Sequence, residues 1–347
     1  MPKTQNRAVM AWLFIFAFIV AFLVVFGGFV RLTRSGLSIV EWNPVSGVVP
    51  PIGAQAWQEE FAKYQLTPEF QKINSSMTLD EYKFIFYMEW IHRFIARLAG
   101  LAYAVPVFYF FFKGQIPKGE RGAYVVMGLL FIGQAFMGWF MVASGLVDRP
   151  AVSHFRLTIH LLFALSLFAL ALWTGLGHKF GFPDTTPKAD WSAVSQWTLA
   201  GIAILLIQIT YGGMTAGLKA GHVSDTWPLM LGKLVPPNLF DSAVKFIENP
   251  QTIVFVHRWF AFLGLVIVPL VYVIAKRKGL PRDLLNGLLA SLGLTVLQIS
   301  LGILTVLMHV NITIALLHQA NAIALFGAAL YMLHRLRARD RQNVHQT

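Results

Sequence analysis

Residues 8–30 read AVMAWLFIFAFIVAFLVVFGGFV, a stretch of 23 positions without one charged side chain. Coiled as an α-helix it is about 34 Å long, enough to cross the hydrocarbon core of a bilayer. It exceeds the apolar core of a signal peptide and lacks a small-residue cleavage site, so an uncleaved span is expected. Seven more apolar stretches follow, near residues 84–112, 122–146, 158–176, 194–215, 252–275, 284–308 and 313–333. The whole chain of 347 residues is 56% hydrophobic and 13% charged, where a soluble domain carries about a quarter charged residues. That balance excludes a soluble enzyme, a secreted disulfide scaffold and a disordered protein.

Eight spans place both termini on one side, and the basic residues say which. The terminal side holds Lys3, Arg7, Lys113, Lys118, Arg121, Lys179, Lys188, Lys276, Arg277, Lys278, Arg282, Arg335, Arg337, Arg339 and Arg341, against Glu120, Asp184, Asp190, Asp283 and Asp340. The opposite loops balance, ten bases against ten acids. Positive residues stay in the cytoplasm, so both termini are expected there. The net charge of +12 therefore records topology, and no nucleic-acid partner is expected. With no cysteine in the chain, thiolate-ligated heme, iron–sulfur clusters and zinc–thiolate sites are excluded. The two long outer loops, near 31–83 and 216–251, carry Pro, Gly and Trp and are expected to form structured covers.

The chain repeats itself. Gly27-Gly28 is followed by Gly36 and Trp42, and Gly212-Gly213 by Gly221 and Trp227 at the same offsets. His92-Arg93-Phe94 corresponds to His257-Arg258-Trp259, Gln134 and Gly138 to Gln298 and Gly302, and His160 to His318. Four spans return the chain to its starting side, so the repeats are parallel. The expected fold is an all-α integral membrane protein, its eight transmembrane helices forming two tandem, pseudo-symmetric four-helix bundles. The expected division is 1–177, a cytoplasmic linker 178–193, and 194–347.

Ionisable groups inside a span are costly and mark function. His92, His160, His257 and His318 lie in the outer halves of the even-numbered spans, two in each half of the chain. A facing pair of imidazoles within a four-helix bundle is the arrangement that grips a heme iron axially. Zinc would call for three or four converging ligands. The other six histidines, His154, His178, His222, His309, His334 and His345, sit in loops or at span ends and are expected to be solvated or interfacial. Arg93 and Arg258 follow two of the ligands directly and are candidates for pairing with heme propionates, with snorkelling to headgroups as the structural alternative. Arg31, Thr33 and Arg34 are read the same two ways.

The halves differ at one telling position. Glu89 precedes His92 by three residues and so shares its helix face, while the corresponding residue in the second half is Val254. A reacting heme needs a group that takes or gives protons. A first half that does chemistry and a second that holds a cofactor follow from this asymmetry. The bland alternative is an i,i+4 ion pair between Glu89 and Arg93. Thr78 to Glu81 reads as a capping box opening the second span.

The stretches GGFVRLTRSGLSIVEWNPVSGVVPP (27–51), FIFYMEWIHRFIARLAG (84–100), GWFMVASGLVDRPAVSHFRLTIHL (138–161), YGGMTAGLKAGHVSDTWPLM (211–230) and LLHQANA (316–322) together resemble the heme A synthase family, membrane enzymes of cytochrome oxidase assembly. The likeness covers nearly the whole chain and lies closest to the branch of proteobacteria and mitochondria. A second branch carries cysteine pairs in its outer loops, which this chain lacks. The resemblance implies oxidation of the C8 methyl of heme O, through successive hydroxylations, to the formyl group of heme A, with water or dioxygen as oxygen source left open. It implies a heme b cofactor on His257 and His318, the substrate heme O on His92 and His160, and assistance to the oxidation from Glu89. It also implies the bacterial inner membrane as location. Heme O synthase, an electron donor of ferredoxin or quinol type and oxidase assembly factors are the implied partners beside the lipid bilayer, and a homo-oligomer is allowed.

Two other readings compete. A bis-histidine cytochrome b that only carries electrons fits the composition and the four histidines, but not Glu89 or the motifs. A heme-free transporter would show broken helices near mid-membrane. The histidine-bearing spans are expected to be unbroken by proline, Pro106 lying well past His92.

Overall fold

The computed structural model describes residues 6–43, 46–147, 150–182 and 193–344, with side chains to residue 337. Most of the expected linker 178–193, as well as Lys3, Asp148, Arg149, Lys188 and His345, lies outside the described residues. Eight helices are long and apolar enough to cross a membrane: α1 (Arg7–Leu32), α2 (Leu79–Phe112), α3 (Lys118–Ala143), α4 (His154–Phe180), α5 (Ala193–Gly217), α6 (Pro250–Arg277), α7 (Arg282–Leu307) and α8 (Ile312–Arg337). The eight expected spans are all present, and most run a few residues past their apolar stretches.

Local sequence sets where several helices begin. The Asn6 side chain accepts from the amides of Ala8 and Val9 and caps α1. The Thr78–Glu81 capping box starts α2 five residues before its apolar stretch, as the sequence indicates. Asn249 caps α6 with Pro250 in its first turn. In lipid every backbone group must be satisfied within the segment, which leaves helix as the only open-chain solution.

Packing follows the repeat. α1 lies along α2 and α4 as α5 lies along α6 and α8, and α3 packs on α4 as α7 packs on α8. The halves meet where α4 touches α5 and α8 and where α1 touches α8. The buried stripe of α1, Val9, Trp12, Leu13, Phe16, Ala17 and Val20, recurs at the three-and-four spacing of one helix face. It joins Tyr103 of α2, Tyr124 and Met127 of α3, Phe168 and Ala171 of α4, and Phe326 and Leu330 of α8 in one core. Polar atoms within that core are paired. Trp12 Nε1 donates to the Ala102 carbonyl at 2.8 Å, Tyr103 donates to the Tyr124 carbonyl, and the Tyr124 hydroxyl meets His178 Nε2 at 2.7 Å. Outward positions such as Phe18, Phe112 and Ile132 stand exposed, as a lipid-facing surface requires.

Two covers close the end of the bundle opposite the N-terminus. In the first, helices Ala54–Gln65 and Pro68–Lys72 bring Trp57 and Tyr64 onto Tyr82, Ile85 and Phe86 of α2. Burial pushes the Glu69 carboxyl of this cover up from its ordinary value, with Lys219 and Arg34 pulling against it. In the second, Ala220 and Met230 pack on Val254 of α6.

The structure departs from the sequence reading in two places. His178 and His334 are buried at 1% and 0% exposure instead of solvated, because the helices continue past the apolar stretches and carry these rings into the bundle. His178 is held by Tyr124, and His334 lies edge-on to Trp173. The span of His257 is also interrupted: a 3-10 turn at Ala261–Leu263 separates its two helical pieces, and the second contains Pro269. Proline lacks the amide that would continue the ladder.

α1 approaches α4 closely at Gly175, where an added Cβ would lie 2.9 Å from Phe14 Cε1 and 3.4 Å from Leu13 Cβ. Gly175→Leu is expected to destabilise the bundle by about 1–3 kcal/mol through overpacking, read as a lower thermal midpoint in detergent with the helical content unchanged.

Candidate functional site

Each of the four intramembrane histidines lies on the preceding helix at a glycine. An added Cβ at Gly27 of α1 would stand 3.1 Å from His92 Nε2, and one at Gly138 of α3 would stand 3.1 Å from His160 Cε1. In the second half Gly212 of α5 and Gly302 of α7 stand at 3.0 and 3.1 Å from Cε1 of His257 and His318. The repeated glycines of the sequence are thus the seats of the repeated histidines. Any side chain there would displace an imidazole.

The second-half pair is firmly tied. Nδ1 of His257 meets the Gln208 carbonyl at 3.2 Å, and Nδ1 of His318 meets the Gln298 carbonyl at 3.1 Å. A carbonyl only accepts, so these backbone contacts favour the proton on Nδ1. Glutamine amides, donors themselves, also stand against both rings. Gln208 Nε2 lies 3.0 Å from Nδ1 of His257 and donates to the His257 carbonyl at 2.8 Å. Gln298 Nε2 lies 3.2 Å from both Nδ1 and Nε2 of His318, and the Gln298 Oε1 accepts from Asn321 at 2.7 Å. Asn321 donates in turn to the Leu294 carbonyl at 3.0 Å. The two ring centroids are 6.3 Å apart with planes at 85°. Two imidazoles on opposite sides of one metal, each with a bond of about 2 Å, put their centroids about 6 Å apart. The pair therefore fits one iron held axially.

The first-half pair is tied less completely. The ring of His92 has the Leu23 carbonyl as its backbone partner and Phe26 beside it, centroids 6.1 Å apart. The His160 ring faces the Gln134 backbone and its Nε2 stands 3.3 Å from Gln134 Nε2, while His160 Nδ1 closes no hydrogen bond and the Oε1 atoms of Gln134 and Gln208 are buried without partners. Trp90 Nε1 and Arg258 Nε are buried and unpartnered as well. Such orphaned polar atoms around the histidines are what a polar-edged ligand would satisfy. Among the described residues no three metal-ligating side chains converge, so the donor set suits a metal that brings its own equatorial ligands.

Glu89 is buried at 3% exposure and fully engaged. Its Oε2 accepts from the Ser38 amide at 2.8 Å, the Ser38 hydroxyl at 2.7 Å and the Ile39 amide at 2.9 Å. Its Oε1 pairs with Arg93 Nη2 at 2.6 Å. The carboxylate thus anchors the outer cover to α2, and the i,i+4 ion pair with Arg93 is real. Val254, its counterpart, holds the second cover by apolar contact instead.

The two arginines take matching places. Arg93 Nη2 donates to the Ile39 carbonyl at 3.3 Å, and Arg258 donates to the carbonyls of Ser224 at 2.7 Å and Thr226 at 3.1 Å. Ile39 and Ser224 stand at the same offset, twelve residues beyond Gly27 and Gly212. Both guanidinium groups are tethers of the covers, with Arg258 Nε free to take a further acceptor. Trp42 stacks under Arg93, 5.4 Å from guanidinium carbon to ring centroid. Trp227 stacks on Phe262 at 5.9 Å. Arg31 Nη1 donates to the Ala216 carbonyl at 2.8 Å, so it joins the halves and does not reach toward headgroups. His309 stays exposed, 3.7 Å from Asp225.

Sequence reasoning overlooked Gln208 and Asn321. The signal for Gln208 was present, since Gln208 and Gly212 keep the four-residue spacing of Gln134 with Gly138 and Gln298 with Gly302. Nothing in the pattern marks Asn321, whose partner lies on another helix.

A profile of the family described as cytochrome oxidase assembly protein (COX15-CtaA) matches residues 10–330. The chain is 42% identical to a heme A synthase of Sinorhizobium medicae over 80% of its own length and 76% of that protein's. It is 40% identical to a heme A synthase of Paramagnetospirillum magneticum over 95% and 94%, and 38% identical to one of Flavobacterium johnsoniae over 96% and 99%.

Removing the anchor should free the first cover. Glu89→Ala leaves the buried donors of Ser38, Ile39 and Arg93 unmatched, a change of about 3–5 kcal/mol when a buried pair is broken. Faster proteolytic cleavage within residues 33–43 in the variant, with the bundle intact, is the expected result.

Proposed function

The chain belongs to the cytochrome oxidase assembly family COX15-CtaA, and we infer that it is a heme A synthase, a multi-pass membrane enzyme that oxidises heme O to heme A. The reaction site is the C8 methyl of heme O, which becomes a formyl group through successive hydroxylations. Residues 194–347 hold a resident heme b between His257 and His318, and residues 1–177 receive the substrate heme O between His92 and His160. Residues 178–193 join the halves on the cytoplasmic side.

The difference between the two histidine pairs carries this assignment. In the second half both rings have Nδ1 within hydrogen-bond distance of a helix carbonyl, and a permanent ligand is served by imidazoles that are already oriented. In the first half the His160 ring faces the Gln134 backbone but its Nδ1 closes no hydrogen bond, a looser seat that suits a ligand that enters, reacts and leaves. A bound heme b supplies one-electron chemistry. The protein's own part is to orient imidazoles on glycine seats, to exclude water with two covers, and to hold charge at Glu89. Glu89 assists the oxidation as the anion that keeps Arg93 and the first cover in place over His92. Arg93 and Arg258, already bound to cover carbonyls, bring cationic charge to the outer edge where propionates would lie.

The protein works in the bacterial inner membrane with both termini in the cytoplasm. Heme O synthase would supply its substrate, a ferredoxin-like or quinol donor its electrons, and oxidase assembly factors would take its product.

Heme extraction and mass spectrometry after purification from cells that make heme O tests the assignment. Heme B together with heme O, its hydroxylated form or heme A is expected; heme B alone with ample heme O present would indicate an electron-carrying cytochrome. His257→Ala and His318→Ala should each strip heme b, and retention in both would overturn the cofactor site. Glu89→Ala should keep heme b and abolish turnover, whereas Glu89→Gln, still able to accept from Ser38, should keep part of it. A reporter fused after Arg341 should read cytoplasmic.

A further inference from the structure

The residue after His318 reaches across the molecule. Gln319 Nε2 donates to the Val24 carbonyl of α1 at 2.8 Å, and its Oε1 sits where a Cβ on Gly28 would come within 1.9 Å. Both partners adjoin the groups that seat His92. Val24 follows Leu23, the backbone partner of the His92 ring, and Gly28 follows Gly27, on which that ring rests. One turn of α1 therefore takes His92 on one side and Gln319 on the other. A short path leads from His318 through one peptide link to Gln319, over its hydrogen bond to Val24, and through the next peptide link to the Leu23 carbonyl at His92.

The reciprocal place in the repeat is built differently. Leu161 follows His160, and at Gly213 an added Cβ would meet Thr158 and Leu161 side chains at 3.1 to 3.4 Å. The Thr158 hydroxyl is turned back to the His154 carbonyl of its own helix. Of the two crossings, the one at Gln319 carries a hydrogen bond between the halves.

We propose that Gln319 is a positioning residue that couples the two histidine sites, so that the state of the group on His318 is felt at His92. The proposal rests on the reading that the two pairs hold a heme b and the substrate heme O. Coupling between sites is reciprocal. If heme O at the first site shifts the midpoint potential of heme b, then reduction of heme b shifts the affinity for heme O by the same factor. Exchange of substrate for product would thereby depend on the redox state of the cofactor.

A redox titration of heme b in the purified full chain, with and without added heme O, tests this. The variants are Gln319→Leu, which installs the residue of the first half, Gly28→Ala, which expels the amide from its seat, and the two combined. The wild type should show a shift of the heme b potential on loading. Each single variant should keep heme b with its ordinary absorption spectrum and lose the shift, and the double variant should lose no more than either single, since both remove one contact. A wild-type protein without a shift, or a full shift in Gln319→Leu with heme b retained, would overturn the proposal. Should Gln319→Leu lose heme b, Gly28→Ala, placed on the other half, decides by the same two outcomes. Failure of the underlying site reading shows separately, as heme b retained in both His257→Ala and His318→Ala.

Discussion

An imidazole inside a bilayer has no water to bond to, and each of its nitrogens must find a partner in the protein or in a ligand. That constraint organises this molecule. Helix carbonyls are already used by their own ladder, so a ring can share one only by lying flat against the helix, and only glycine leaves room. Gly212 and Gly302 provide that room for His257 and His318, and Nδ1 of each ring bonds to the carbonyl four residues earlier. The two rings so seated stand with 6.3 Å between their centres. The helix spacing, the small residues and the direction of the lone pairs all follow from seating the ring.

Much of this was legible in the residues. Eight spans follow from apolar length, and the two halves from Gly-Gly, Gln-to-Gly and His-Arg pairs recurring in order. Those pairs turn out to touch, which is why their spacing was kept in both halves. What the sequence hid depends on contacts between helices. Asn321 reads as an ordinary polar residue until Gln298 of the neighbouring helix is placed against it. His178 and His334 look like surface residues by position along the chain, yet helices longer than their apolar stretches draw them inside. The break at Ala261–Leu263 has no proline within it, though Gly264 follows it directly and Pro269 lies farther along the same apolar stretch.

Glu89 shows how two readings of one residue combine. The ion pair with Arg93 exists, and so does the asymmetry with Val254. Four donors converge on this one carboxylate. Its counterpart keeps the equivalent cover by packing on Ala220 and Met230. The halves thus solve one mechanical task by two chemistries, each three residues from an imidazole, and only the first half places a charge there.

The bond from Arg31 to Ala216 joins two positions that correspond in the repeat, each four residues beyond the first glycine of its pair. A contact between a residue and its own equivalent must lie near the local two-fold axis. If both positions were arginine, two guanidinium groups would crowd a space that admits one. A symmetric pair of separate four-helix chains could not build this junction. Joining the halves in one polypeptide lets one copy keep the cation and the other offer a bare carbonyl, so a single covalent chain is the condition under which its two sites were free to diverge.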